Sequence, residues 1–135
     1  MRPLHDLSRK ILVVDDDESI VDLVSTRLMI AGYNVCTANN GFEAIRALVD
    51  RKPKAMILDL SMPGMDGFGV LEYMGKPGSY QAPTLVLTAR HLAQDVERAI
   101  RLGARDYLAK PFDDRMLLVR VQRLFRGAAA GVNAG

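Results

Sequence analysis

Five short runs of apolar residues recur along the chain, and most of them are rich in β-branched side chains. Uninterrupted runs of this length predict strands that are buried on both faces of a sheet. The second and fifth runs are weaker examples of the same pattern. The predicted strands lie at residues 11–14, 33–38, 56–58, 85–87 and 107–109.

Between these runs, apolar residues repeat at helical spacing. Ile20, Val24 and Leu28 follow one another at intervals of four residues, and Gly32 supplies a stop signal after them. Four similar stripes lie at residues 44–49, 68–74, 92–100 and 117–125. A strand followed by a helix, repeated five times, predicts an α/β protein with a doubly wound sheet of five parallel strands and helices on both faces.

The length and composition agree with one compact domain. The chain has 135 residues, of which 49% are apolar and 25% are charged, a profile typical of globular proteins. We expect a flexible N-terminal arm over residues 1–9, the domain over residues 10–126, and a flexible tail or linker start over residues 127–135. The last boundary rests on the glycine- and alanine-rich composition of that segment.

The sequence also limits the cellular compartments in which we expect the protein. No apolar run approaches the roughly 18 residues that a membrane span requires, and the polar residues 1–10 lack the apolar stretch of a signal peptide. Cys36 is the only cysteine, which excludes an internal disulfide and a cysteine-based metal cluster. We therefore expect a cytoplasmic protein with no membrane association.

Polar side chains follow four of the predicted strands. Asp15 and Asp16 come directly after the first strand, Asp59 after the third, Thr88 ends the fourth, and Lys110 follows the fifth. The carboxyl ends of parallel strands meet at one edge of the sheet, where open α/β sheets bind their ligands. The sequence therefore predicts a site built from carboxylates, a hydroxyl and an ammonium group.

The chemistry of these groups points to phosphoryl transfer. Three neighbouring carboxylates resist full ionisation unless a cation lies among them, and carboxylate and carbonyl oxygens are the ligands that Mg²⁺ prefers. Lys110 would hold a phosphoryl oxygen as a point charge, and Thr88 offers a hydroxyl donor. Asp59 would then be the nucleophile that forms an acyl phosphate.

Each of these residues also has a purely structural interpretation. An acidic run after a strand is often a solvated turn or a helix N-cap, and Asp17 suits such a cap. Thr88 alone would suggest a cap, and Lys110 alone a surface lysine. Their occurrence together at one predicted edge favours a functional site.

Four segments closely resemble the receiver domain of bacterial response regulators, including the single-domain chemotaxis type. They are ILVVDDDES (11–19), LDLSMPGMDG (58–67), LTAR (87–90) and GARDYLAKPF (103–112). The resemblance runs from Lys10 to Arg126 without a break in order. It implies a flavodoxin-like (βα)5 fold and a role in a two-component phosphorelay.

The resemblance also implies roles for individual residues. Asp59 is the implied phosphoacceptor, which a histidine kinase or a phosphotransfer protein phosphorylates. The implied Mg²⁺ ligands are Asp15, Asp16, Asp59 and the backbone carbonyl of Ser61. The implied phosphoryl-binding residues are Thr88, Ala89 and Lys110. Tyr107 matches the aromatic residue that turns inward when Thr88 moves, and the Lys110–Pro111 bond is expected to be cis.

The charge distribution suggests an output surface. Between Arg98 and Arg126 there are eight basic residues and three acidic ones, although the net charge of the whole chain is only +2. We expect Arg101, Arg105 and Arg120, on the face from the fourth to the fifth helix, to contact a downstream protein, an effector domain in cis or a second copy of the chain. We do not expect direct DNA binding, because no DNA-reading helix is evident.

Within this face, the fit to the family's symmetric dimer is mixed. Asp106 and Arg120 fit the alternating charges of that dimer, whereas Arg105 and Met116 stand where acidic residues are common in the family. An acidic protein or an anionic nucleotide therefore remains an alternative partner.

Two rival interpretations lead to other functions. Asp15 to Ser19 approximates the Asp-x-Asp-x-Thr signature of haloacid-dehalogenase-like phosphatases, which would make Asp15 the nucleophile and Asp17 the acid/base. That reading leaves Asp59, Thr88 and Tyr107 without a role, and the chain is short for such a fold with a cap. A receiver-like module that only docks partners is the second rival, and the complete set of site residues argues against it.

Overall fold

The computed structural model describes residues 9–90 and 92–130, with side chains described as far as residue 126. Within this part of the chain, strands and helices alternate five times, as the apolar pattern predicts. In order they are β1 (Lys10–Val14), α1 (Glu18–Ile30), β2 (Asn34–Ala38), α2 (Gly41–Arg51), β3 (Ala55–Leu58), α3 (Gly67–Met74), β4 (Thr84–Thr88), α4 (Ala93–Arg101), β5 (Asp106–Ala109) and α5 (Asp114–Ala130).

The five strands form one parallel sheet in the order β2-β1-β3-β4-β5. The chain winds from β1 to one edge and then returns past β1 to build the other half. This order confirms the predicted doubly wound, flavodoxin-like α/β fold. The direction of winding reverses between β1 and β3, where Val14 pairs with Leu58. The residues that follow these two strands therefore emerge side by side.

The two faces of the sheet bury two separate apolar layers. One layer packs strand residues against α2, α3 and α4, and its members include Leu12, Leu48, Leu58, Phe68 and Ala99. The other packs the alternate strand residues against α1 and α5, and its members include Ile11, Val24, Leu28, Ile57 and Val121. Because helices cover both faces, the central strands are apolar at successive positions rather than at alternate ones.

The start of β2 differs by one residue from the expectation. Tyr33 belongs to the turn after α1, because its backbone N–H donates to the carbonyl of Leu28 at 3.0 Å. Its ring stacks on Phe125 with 5.5 Å between centroids. This contact ties the α1–β2 turn to α5. The strand begins at Asn34, which is the first residue of β2 to pair with β1.

The last helix extends further than the composition suggested. α5 continues to Ala130, so the first four residues of the predicted tail are helical. Alanine is the strongest helix former, and three alanines end this segment. The predicted arm, apart from Arg9, and residues 131–135 lie outside the described residues. No helix in the described part of the chain is long and apolar enough to cross a membrane.

Candidate functional site

The site begins where β1 and β3 end. The N–H of Asp15 donates to the carbonyl of Ala38 at 3.2 Å, and the N–H of Asp59 donates to the carbonyl of Val14 at 3.0 Å. These bonds continue the ladder one step beyond the strands, so both carboxylates are fixed by the sheet. Asp15 and Asp59 are only 3% and 5% exposed, whereas the neighbouring Asp16 is exposed.

The three aspartates predicted from the strand ends lie together. Asp15, Asp16 and Asp59 each offer one carboxylate oxygen, and these oxygens all lie within 4.8 Å of one another. Two buried carboxylates at this distance repel each other and lack the water that would screen them. The cluster therefore requires positive charge close by.

Lys110 supplies one such charge. Its Nζ lies 2.6 Å from Oδ2 of Asp15 and 3.5 Å from Oδ2 of Asp59. The backbone N–H of Lys110 donates to the carbonyl of Thr88 at 2.9 Å, which fixes the residue to the end of β4. The Lys110–Pro111 bond is cis, as expected.

The pKa values of Asp15 and Lys110 reflect opposing effects of burial and of neighbouring charges. Burial raises the pKa of the Asp15 carboxyl, and the hydrogen bonds from Lys110 and from the Asp17 N–H only partly offset that effect. Burial lowers the pKa of the Lys110 ammonium, but the hydrogen bond to Asp15 and the charges of Asp15 and Asp59 outweigh burial and raise it. Lys110 is therefore held in its charged form.

The donor set fits a divalent cation. Three carboxylates against one ammonium leave an excess of two negative charges, which is the charge that a bound Mg²⁺ would balance. The ligands are hard oxygens, and three of them are too few for a closed cage, which suits an ion that keeps several waters. Asp16 is the exposed member of the cluster, so the site is open to solvent on its side.

The loop after β3 contacts Asp59 at both its side chain and its backbone. The N–H of Ser61 donates to Oδ1 of Asp59 at 3.2 Å, so Ser61 lies directly beside the carboxylate. A Cβ at Gly67 would lie 2.3 Å from the carbonyl oxygen of Asp59, so no larger residue fits there. The sequence contains Gly67 in the matched segment, but this close approach could not be read from the pattern.

Thr88 and Tyr107 lie on the same face of the sheet. Thr88 pairs with Ala109, and Tyr107 pairs with Val86, two residues before Thr88. Thr88 is 0% exposed, and its Oγ accepts a hydrogen bond from the N–H of Arg90 at 3.2 Å. Ala89, which lies between Thr88 and Arg90 in the sequence, is exposed at this edge of the sheet.

The hydroxyl of Tyr107 is buried, and it has no hydrogen-bond partner among the described residues. Burial raises the pKa of this hydroxyl, and the negative charge of Asp95 raises it further. A buried hydroxyl without a partner is costly, so this side chain is poised to gain from a small rearrangement.

Asp17 has a structural role. It is the N-cap of α1, and its Oδ1 accepts hydrogen bonds from the N–H of Ser19 at 2.9 Å and from the hydroxyl of Ser19 at 2.6 Å. The hydrogen bonds from Ser19 lower the pKa of Asp17. A carboxylate engaged in this way is poorly suited to be the acid/base of a haloacid-dehalogenase-like site, so that alternative is not favoured.

The three arginines predicted as an output face differ in their surroundings. Arg101, at the end of α4, and Arg105, just before β5, are both exposed. Arg120 is only partly exposed, and its guanidinium lies 2.7 Å from Oδ1 of Asp106. The structure therefore places an internal ion pair beside two exposed arginines rather than three equivalent ones.

One contact near the site was not predicted. The guanidinium of Arg90 binds the carboxylate of Asp95 in the first turn of α4, with contacts of 2.9 Å and 3.4 Å. Arg90 is part of the matched segment 87–90, but the burial of its partner could be found only from the fold.

Comparison with known protein sequences identifies the family of this chain. The model of the response regulator receiver domain matches residues 11–122. The transcriptional regulatory protein CpxR homolog of Haemophilus influenzae is 40% identical over 126 residues, which cover 92% of this chain and 53% of that protein. The alkaline phosphatase synthesis transcriptional regulatory protein PhoP of Bacillus subtilis is 39% identical over 120 residues, with 89% and 50% covered.

Solved structures agree on the fold. The chemotaxis protein CheY4 of Vibrio cholerae superposes with a TM-score of 0.80 at 35% identity, covering 85% of this chain and 97% of that one. A receiver domain of a Francisella response regulator gives a TM-score of 0.82 at 28% identity, covering 89% and 98%. The chain spans about half the length of the curated relatives it matches. It belongs to the response regulator receiver domains of two-component signalling.

Proposed function

We propose that this chain takes a phosphoryl group onto Asp59 from the phosphohistidine of a histidine kinase or phosphotransfer protein. The observation that supports this most strongly is the pair of contacts made by Lys110. One ammonium group lies against both Asp15 and Asp59, which leaves the Asp59 carboxylate beside a fixed positive charge at an open rim. This is the arrangement that a phosphoryl-accepting carboxylate needs.

The transfer is a displacement at phosphorus. An oxygen of Asp59 forms a bond to phosphorus while the bond from phosphorus to the donor nitrogen breaks, and the nitrogen keeps the electron pair. Negative charge then spreads over the phosphoryl oxygens. Lys110 binds one of these oxygens, Thr88 donates its hydroxyl to another, and Ala89 leaves room for the group at the rim.

Mg²⁺ is the proposed cofactor, held by Asp15, Asp16, Asp59 and the carbonyl of Ser61. When bound, it supplies the positive charge that offsets the negative charge on the phosphoryl oxygens. Asp16 is exposed and lies in the cluster without belonging to the buried pair. Its role is therefore to extend the site toward an ion that arrives from solvent.

The phosphoryl group adds about −1.5 to −2 charges, and Thr88 and Tyr107 transmit the change. Thr88 loses its present hydrogen bond with Arg90 when its hydroxyl turns to the phosphoryl group. Tyr107, on the same face of the sheet, then finds a new partner for its buried hydroxyl. Such a signal can only bias an element that already has two arrangements.

The output lies on the α4-to-α5 face, carried by Arg101, Arg105 and Arg120. Because the curated relatives are about twice as long and are named transcriptional regulators, an effector domain in cis is the favoured partner, and a homodimer through this face is the second. We place the protein in the cytoplasm. The unit that carries out the chemistry is residues 10–126.

The experiment that tests the phosphoryl-transfer proposal is phosphorylation by a small phosphodonor in Mg²⁺, followed by mapping of the modified residue. A phosphoryl group on Asp59 supports the proposal, and one on Asp15 contradicts it. The output proposal is tested by replacing Arg101 and Arg105 with Ala together. Self-association or partner binding should fall while labelling of Asp59 stays normal, and unchanged binding contradicts the proposal.

A further inference from the structure

The sheet ends on one side at β2 (Asn34–Ala38), and the outward side of this strand is here called the β2 edge. β1 is the only neighbour of β2 among the described strands. Edge strands are normally protected from further pairing by charged side chains, prolines or bulges. The segment NVCTA that forms β2 has no charged residue and no proline, and it pairs with β1 in an unbroken register. The β2 edge is therefore open to another strand.

Two residues of β2 direct their backbone groups toward this edge. The carbonyl of Ala38 accepts a hydrogen bond from the N–H of Asp15 at 3.2 Å, so the backbone groups of Ala38 face β1. Successive residues of a strand direct these groups to opposite sides. Cys36 therefore also faces β1, whereas Val35 and Thr37 face outward. Two N–H groups and two carbonyls thus lie along the β2 edge without a partner strand.

A second copy of the same edge satisfies all of these groups. When two β2 strands run antiparallel with Cys36 opposite Cys36, Val35 of each copy lies opposite Thr37 of the other. Each of these pairs exchanges two hydrogen bonds, and a two-fold axis passes between the two cysteines. Moving the axis to Val35 or to Thr37 would place the other residue opposite a residue outside β2. The register centred on Cys36 is therefore the one that β2 itself completes.

On one face of the sheet, α2 leaves room for a second copy. A groove of about 460 Å³ lies between β2 and α2, and Val35, Cys36 and Thr37 line its strand side. Its helix side carries two acidic and two basic residues, which are Glu43, Asp50, Arg46 and Arg51. Equal numbers of acids and bases allow two copies of this wall to approach each other without net repulsion.

On the other face, α1 presents an exposed apolar side chain toward the same edge. Arg27 pairs with Asp114 of α5, so its side of α1 faces α5. Met29 lies two residues later, about 200° further round the helix, and therefore faces away from α5 and toward the β2 edge. Its side chain is 55% exposed. A second copy at this edge would cover it.

We propose that two copies of this chain associate through the β2 edge, with their β2 strands antiparallel and Cys36 at the two-fold axis, to form one continuous sheet. β2 and β5 are the opposite ends of the strand order. The contact is therefore separate from the α4-to-α5 face and leaves that face free. It also leaves the carboxyl ends of the central strands open, so it does not depend on phosphorylation of Asp59.

The first test is sedimentation velocity under reducing conditions over a series of protein concentrations. The unmodified chain should change from monomer to dimer as the concentration rises. Thr37→Pro removes one outward N–H from each copy, at an edge position where a strand accepts proline. The loss of two hydrogen bonds from the dimer should weaken association roughly tenfold. Thr37→Ala keeps the N–H and is the matched control, and equal far-UV circular dichroism shows that both variants fold.

Cys36 itself reports the register. In the proposed pairing, the two Cys36 residues form a non-hydrogen-bonded pair with Cα atoms about 4.5 Å apart, which is within the range for a disulfide. Diamide takes two electrons and two protons from two thiols, so it should link two copies through Cys36. The control is Thr37→Cys combined with Cys36→Ser, which places the thiol at a more exposed position. In this register its Cα lies about 8 Å from that of the second copy, too far for a disulfide.

Three results would overturn the proposal. The first is a chain that stays monomeric at every concentration and is not linked by diamide. The second is linking of the Thr37→Cys control as readily as Cys36, because random collisions favour the more exposed thiol. The third is a dimer that survives Thr37→Pro but is lost when Arg101 and Arg105 are replaced with Ala, since that dimer uses the α4-to-α5 face. Weaker association in Thr37→Pro than in Thr37→Ala, with linking specific to Cys36, supports the β2 edge.

Discussion

Lys110 lies closer to Asp15 than to the proposed phosphoacceptor: its Nζ is 2.6 Å from Asp15 and 3.5 Å from Asp59. Asp15 therefore holds the ammonium in place and leaves Asp59 only loosely paired. A carboxylate that is buried but loosely paired keeps an oxygen available as a nucleophile. The bond between Lys110 and Asp15 therefore helps to keep Asp59 available as the nucleophile.

Replacing Lys110 tests this relationship. In Lys110→Ala the buried carboxylates lose their cation, so the free energy of unfolding in EDTA should fall by about 1–3 kcal/mol. Added Mg²⁺ should restore part of the loss, because it balances the same charges. Denaturant titrations with and without Mg²⁺ provide the measurement. Lys54→Ala, which removes an exposed lysine, should change stability little in either condition. Equal losses in the two variants would refute the charge-balancing role.

Asp16 should control the response to the metal. Asp16→Ala removes the exposed carboxylate of the cluster, so labelling by a small phosphodonor in Mg²⁺ should slow by at least tenfold. EDTA should stop labelling of the unmodified chain. The matched control is Asp22→Ala, which removes the same charge from an exposed position in α1. Labelling of Asp16→Ala at the native rate would contradict its place among the ligands.

Gly67 should tolerate no side chain. A Cβ there would lie 2.3 Å from the carbonyl oxygen of Asp59, so Gly67→Ala must displace the backbone of the site. We expect a loss of about 3 kcal/mol in the free energy of unfolding and slower labelling. Gly75→Ala is the control, because its nearest atom would lie at an ordinary 3.4 Å. Similar stabilities for the two variants would argue against this close approach.

Thr88 should separate labelling from signalling. Thr88→Ala keeps the carboxylates and Lys110, so Asp59 should still be phosphorylated. The signal of fluorinated Tyr107 in ¹⁹F NMR, assigned with Tyr107→Phe, should shift on phosphorylation of the unmodified chain and stay fixed in Thr88→Ala. No shift in the unmodified chain would contradict the switch.

The sequence predicts much of this molecule, because its periodic signals are strong. Continuous apolar runs predict the three buried strands β1, β3 and β4, and weaker runs predict the less buried edge strands β2 and β5. The polar residues after these strands predict a site at one edge of a parallel sheet. Asp15, Asp16 and Asp59 were expected together on this ground, and they lie together. Strand order follows less directly, because it depends on how the helices pack against the two faces.

Contacts that depend on side-chain packing could not be predicted. Nothing in the pattern shows that Lys110 prefers Asp15 over Asp59, since both distances depend on how β1, β3 and β5 twist past one another. The pairing of Arg120 with Asp106 depends on where α5 crosses β5. The burial of Asp95 depends on the angle of α4. The count of charged residues between Arg98 and Arg126 shows the excess of arginine but not which arginines form ion pairs.

The identity of the modified residue is the most direct test of the proposal that Asp59 accepts the phosphoryl group. The chain is incubated with acetyl phosphate and Mg²⁺, and the modified site is mapped by mass spectrometry beside an Asp59→Asn variant. We predict one added phosphoryl group, on Asp59, and none in Asp59→Asn. Stable labelling at Asp15, or undiminished labelling of Asp59→Asn, would contradict it.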